Sequence, residues 1–127
     1  MSRRVLVVAG VTAAAFGVAP AAATPRAAAP ARLLVQGSEF RLALSRPSLA
    51  AGPAIVQLAN VGEDAHDLRL VRLDSRGRAA GTVRQIAETL PGATGQWRGR
   101  LTPGRWRLSC SLPGHARQGM RATLRVR

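Results

Sequence analysis

Cys110-Ser111-Leu112-Pro113-Gly114-His115-Ala116-Arg117-Gln118-Gly119-Met120 sets a thiol, an imidazole and a thioether at even steps of five residues, with Pro113-Gly114 in the first gap and Gly119 beside the last donor. Sulfur donors suit Cu(I) and imidazole suits both copper oxidation states, so one tight loop offers a set fitted to an ion that cycles between them. A trigonal His2Cys site with a weak axial Met needs a second histidine, and His66 is the only other one in the chain. Apart from Met1, the chain has one Cys, two His and one Met, and the candidate metal set His66, Cys110, His115 and Met120 uses all four. Taken alone, Cys110 reads as a small buried hydrophobe and Met120 as a filler of core gaps. Their shared loop is what points to a metal.

The residues flanking this loop are patterned as strands. Trp106, Leu108 and Cys110 point one way and Arg105, Arg107 and Ser109 the other; after the loop, Met120, Ala122, Leu124 and Val126 alternate with Arg121, Thr123, Arg125 and Arg127. Two strands of this kind carry the loop between them and preorganise its donors. Upstream, His66, Leu68 and Leu70 share one face and Asp67 and Arg69 the other, which starts a strand at an inward-facing His66. A buried imidazole must hydrogen-bond or bind something, and at the mouth of a barrel a metal is a suitable partner.

Leu101-Thr-Pro-Gly-Arg-Trp-Arg-Leu-Ser-Cys-Ser-Leu-Pro-Gly-His-Ala-Arg-Gln-Gly-Met120 resembles the C-terminal copper loop of the cupredoxins, the blue type 1 copper proteins. Asn60-Val-Gly-Glu-Asp-Ala-His-Asp67 resembles the segment that carries their first histidine, and the likeness spans roughly residues 33 to 127. The spacers on either side of His115 are most similar to the rusticyanin or sulfocyanin type of loop. The resemblance implies a cupredoxin fold with one Cu(I)/Cu(II) ion near one end. It also implies that His115 is the ligand nearest solvent and the exit for the electron, with Leu112 and Pro113 in an apolar docking patch. One position departs from the family. Where many members carry an Asn that ties the two ligand segments together, this chain has Asp67, which when ionised can only accept hydrogen bonds.

In chain order, Met1-Ser-Arg-Arg4, an apolar run from Val5 and small residues at Pro20-Ala-Ala-Ala23 read as a secretory signal over residues 1–23, cleaved after Ala23; Arg3-Arg4 resembles a twin-arginine signal. The Ala-rich run broken by Pro20 argues against a retained membrane anchor, so no integral membrane segment is expected after cleavage. A single Cys in an exported chain forms no internal disulfide, and a metal accounts for its thiol. Residues 24–32 read as a flexible Ala/Pro leader and 33–127 as the cupredoxin domain.

Within the domain, Leu33-Leu34-Val35 is a short apolar run, Phe40, Leu42 and Leu44 alternate with polar or small residues, and Ile55 to Asn60 reads as a strand closed by the Asn60-Val61-Gly62 turn. Asp74 to Gly81 reads as a polar loop. Val83, Ile86, Ala87 and Leu90 follow helical spacing, Thr82 and Gln85 form a capping box and Pro91-Gly92 stops the segment, so one short helix is expected there. Trp97 to Leu101 is a further strand candidate. Short strands, frequent turns and one brief helix give an all-β, Greek-key cupredoxin sandwich or barrel.

Three strong donors and a weak axial one leave no open position for substrate, and no histidine remains for a second copper, so an enzyme is not expected. The expected function is an exported, periplasmic or extracellular blue copper protein carrying single electrons between redox partners. The alternative is a copper-binding or copper-delivery protein with no electron-transfer role, and a module that kept the fold without metal comes third. The 19 basic residues are all Arg and give a net charge of +13, two units less once Arg3 and Arg4 are removed. Such a field would steer the chain toward an acidic redox partner protein or an anionic lipid surface, but Arg without Lys reads first as a compositional habit of the source. Export and the alternation of the arginines along strands argue against nucleic acid. The mature protein is expected to be a monomer.

Overall fold

A computed structural model describes Gly10 and residues 17–127. The twin arginines and most of the apolar run of the expected signal lie outside these residues. Among the described residues no helix is long and apolar enough to cross a membrane. Residues 17–30 have no regular secondary structure, and the first strand begins at Ala31.

The described residues form nine strands: β1 Ala31–Ser38, β2 Arg41–Leu44, β3 Ser48–Leu49, β4 Gly52–Asn60, β5 His66–Leu73, β6 Ala79–Thr89, β7 Thr94–Leu101, β8 Gly104–Ser109 and β9 Arg121–Val126. They form a four-stranded sheet in the order β2-β1-β4-β7 and a five-stranded sheet in the order β3-β9-β8-β5-β6. Pairing is antiparallel except for β1 with β4 and β3 with β9. Alternating side chains supply a shared core: Leu33 and Val35 from β1, Val56 and Leu58 from β4, Leu68 and Leu70 from β5, Trp106 and Leu108 from β8, and Leu124 and Val126 from β9. Full burial of one such aliphatic side chain is worth about 1.5–3 kcal/mol. Trp106 also satisfies its indole N–H by donating to the Thr102 carbonyl at 3.0 Å.

The expected helix is absent: Thr82 to Thr89 lie in β6, and Leu90 follows its end. The physical reason is a pair of register shifts on this edge strand. His66 pairs with Thr89 but Leu68 with Ile86, and Leu70 pairs with Arg84 but Arg72 with Ala80, so β6 holds extra residues at two places, with Gly81 at φ 84° in the second. Bulges of this kind break the period of two and leave apolar residues at spacings that mimic a helix. Ile86 is buried, whereas Val83 and Leu90 are exposed, so no continuous helical stripe faces the core. The expected polar loop is likewise shorter than Asp74 to Gly81, because β6 begins at Ala79.

This topology brings the donors to one end. β8 runs antiparallel to β5 with Ser109 opposite Arg69, and β9 antiparallel to β8 with Arg121 opposite Ser109. The start of β5, the end of β8 and the start of β9 are therefore neighbours. In the other sheet β1 and β4 run parallel and finish side by side, Gly37 opposite Asn60.

Candidate metal centre

His66 opens β5, Cys110 follows β8 and Met120 precedes β9; the loop between them carries His115. That loop is a series of hydrogen-bonded turns. The amides of Gln118 and Met120 donate to the His115 carbonyl at 3.2 and 3.1 Å, and the Cys110 amide donates to the Met120 carbonyl at 3.2 Å, closing the loop at its mouth. Gly119 sits at φ 118°, and a Cβ there would come within 3.2 Å of the Phe40 carbonyl oxygen, so the residue before Met120 is bound to be glycine on both counts.

The ligand-type atoms of His66, Cys110 and His115 all lie within 4.8 Å of one another. His66 Nδ1 is 3.3 Å from His115 Nδ1, and Cys110 Sγ is 3.5 Å from the same nitrogen. Two nitrogens about 2.0 Å from one ion, at tetrahedral to trigonal angles, stand roughly 3.3–3.5 Å apart, and a sulfur at about 2.3 Å stands ~3.5–3.8 Å from either. Both measured separations to His115 Nδ1 are thus those of donors that share an ion, and the His66 and Cys110 donor atoms lie within 4.8 Å of each other. Met120 is fully buried, and its Cε and the Cδ2 of His66 converge on the same glycine: a Cβ on Gly37 would meet them at 3.2 and 3.7 Å. The end of the Met120 side chain therefore lies near the His66 ring.

His66 and Cys110 are buried, whereas His115 is half-buried and packs edge-to-face on Phe40, with ring centroids 5.1 Å apart. Leu112 leans partly into the core, and Pro113 is exposed. Burial pushes the Cys110 thiol above its ordinary range; backbone hydrogen bonds from Asp67 and Leu112 oppose the rise, and the Asp67 carboxylate adds to it. The side chain is then a thiol until a cation takes the place of its proton.

Asp67 was expected on the outer face, but it is only 4% exposed. It accepts from the Ser111 amide at 2.6 Å and pairs through its other oxygen with the Ser111 hydroxyl. It thereby ties the His66 segment to the Cys110 segment through acceptors alone, which answers the departure noted in the sequence. Asn60 does more than shape a turn: its amide donates to the Asp64 and Thr89 carbonyls at 2.7 and 2.8 Å and accepts from the Gly62 amide at 2.9 Å, locking the segment before His66 against β6.

Two residues at this end escaped sequence reasoning. Glu39, in the β1–β2 turn, places Oε1 3.1 Å from His66 Nε2 and accepts from the amides of Glu63 and Asp64 at 2.9 and 2.8 Å. The Asp64 amide first, then the Glu39 amide itself, Glu63 and the His66 ring hold its carboxyl down at about 2. Phe40, the next residue, packs on His115. No local pattern marks either one, since a polar turn residue and an alternating aromatic are ordinary near a strand start.

No protein-family model and no curated protein sequence matches the chain. Solved structures do match its fold. Auracyanin A, a "blue" copper protein from Chloroflexus aurantiacus, is 16% identical over 78% of this chain and all of its own length, with a TM-score of 0.60. A Cu(I) form of an amicyanin variant is 14% identical, covering 75% of this chain and 81% of its own, with a TM-score of 0.51. A multicopper oxidase is 12% identical over 76% of this chain but only 43% of its own, also at 0.51. The two-sheet topology and the convergence of His66, Cys110, His115 and Met120 at one end together give this chain a cupredoxin-like fold, with a donor set suited to one copper ion.

Proposed function

We propose that this protein carries single electrons between redox partners through a copper ion held by His66, Cys110, His115 and Met120. The observation that carries the reading is the 3.3 and 3.5 Å spacing of three buried or half-buried donors that come from two separate segments. Copper supplies the one-electron couple when bound. The chain supplies a cage that does not need to move: Asp67 with Ser111, Asn60 with Thr89, and the turns of the loop fix the donors from outside. Such preorganisation keeps reorganisation small as charge changes. Burial of His66 and Cys110 keeps water from the interior side, and the half-buried His115 is the natural path to a partner.

Substrate turnover has no support in the donor inventory, because both histidines of the chain sit at this one site. We read the protein as exported by its N-terminal signal and as monomeric. We read the partner as an acidic protein and not nucleic acid. The exposed side of the five-stranded sheet favours that partner: Arg69, Arg121, Arg105 and Arg125 project from neighbouring strands, with Arg105 directly opposite Arg125. Like charges placed opposite each other on a sheet cost stability, and an acidic partner relieves that repulsion.

The test is a visible spectrum of residues 24–127 titrated with Cu(II) and then with ascorbate. An intense blue thiolate-to-copper band that bleaches and returns on reoxidation is expected. Weak absorption, or copper lost at once to a mild chelator, would favour copper delivery instead.

A further inference from the structure

The β1–β2 turn supplies no metal donor, yet it touches both histidines. We propose that Glu39 is a positioning residue for the metal centre: its carboxylate claims the proton of His66 at Nε2, aims the Nδ1 lone pair at the cluster, and lends negative charge that favours the more oxidised ion. This rests on the copper reading given above, but its first consequence is a property of the metal-free protein.

A neutral imidazole has one N–H, and the acceptor it meets decides which nitrogen carries it. Glu39 Oε1 faces Nε2 at 3.1 Å, while Nδ1 faces His115 Nδ1 at 3.3 Å and the Cys110 side of the cluster. The strong acceptor is thus on the far side of the ring from the donors. The carboxylate is itself held in place by the Glu63 and Asp64 amides, on the loop that leads into His66. Glu39 therefore braces the ring and its approach segment at once.

The space for this brace has been kept open. A Cβ on Gly62 would run into the Glu39 carboxylate, 2.7 Å from Oε2 and closer still to Oε1, and Gly62 has no positive φ that would itself demand glycine. The glycine makes room for the carboxylate. Phe40 continues the arrangement on the other ligand, its ring 77° to that of His115. Carboxylate–histidine–metal arrangements raise ligand basicity, and their loss costs about 10–100-fold in metal affinity.

The experiment uses the wild-type chain with Glu39→Gln, Glu39→Ala and Gly62→Ala. Long-range 15N–1H correlation spectra of the metal-free proteins report the His66 tautomer, and Cu(II) titration and voltammetry report affinity and potential. Wild type is expected to hold the proton on Nε2. Glu39→Ala and Gly62→Ala, one deleting the carboxylate and one displacing it, both populate the Nδ1–H form and weaken Cu(II) about 10–100-fold. Glu39→Gln retains an acceptor, so it restores the tautomer and the blue band but has a raised potential. A merely structural role would lower thermal stability without moving tautomer or potential. The proposal is overturned if wild-type His66 carries its proton on Nδ1, or if all three variants match wild type in tautomer, affinity and potential. A wild type that never turns blue defeats the copper reading instead, and the tautomer comparison separates the two failures.

Discussion

The Cys110–Met120 loop and the β1–β2 turn meet at the same pair of histidines but work in opposite ways. The loop brings donors and holds itself together, with its turns closed by bonds among its own residues. The turn brings no donor, and everything it does is addressed to distant residues: Glu39 to His66, Glu63 and Asp64, Phe40 to His115. A metal centre thus needs two kinds of part. Donor chemistry is packed into a short span, while orientation comes from across the fold.

Loss of a donor should be total where loss of a brace is partial. Cys110→Ala is expected to abolish the blue absorption at any copper concentration, since the thiolate is the chromophore; a mutant that still turns blue defeats the ligand assignment. Asp67→Ala comes next. It leaves the Ser111 amide and hydroxyl without their acceptor at a part-buried tie between the two ligand segments. A loss of about 1–3 kcal/mol in urea-unfolding stability is expected, with the blue band kept but broadened.

Met120→Leu sharpens the comparison from the donor side. The weak axial thioether goes, the trigonal donors stay, and the protein is expected to remain blue with a raised potential in voltammetry. The smallest effect belongs to the β5–β6 connection, where Asp74 accepts from the amides of Arg76 and Arg78. These bonds, the Arg78 amide first, hold its carboxyl below the usual range. Its stabilisation is therefore complete above the ordinary carboxylate pKa and is lost as pH falls through the lowered one. Asp74→Asn should flatten that part of the acid-unfolding curve slightly and leave the copper spectrum unchanged.

Legibility in the sequence followed locality. The strands β8 and β9 could be read because both alternate cleanly across a single buried face, Trp106 and Leu108 on one, with Cys110 continuing that row just past its end, and Leu124 and Val126 on the other. β6 could not, because its two bulges shift the period and produce the spacing of a helix. The burial of Asp67 was hidden because its cover comes from Ser111, 44 residues away. Glu39 gave no signal at all: nothing in Ser38-Glu39-Phe40 distinguishes a carboxylate facing water from one bound to an imidazole 27 residues away.

The sequence by itself determined the donor inventory, the loop that holds three of the four candidates, and the all-β character, because donor types and period-two burial are properties of neighbours along the chain. Only the tertiary structure decided how the donors converge and what aims them. The antiparallel register of β5, β8 and β9 joins segments far apart in sequence, and the parallel pairing of β1 with β4 carries Glu39 to the same end. Hydrogen bonds that orient a ligand are short in space and indifferent to distance along the chain, so a local pattern has no means to announce them.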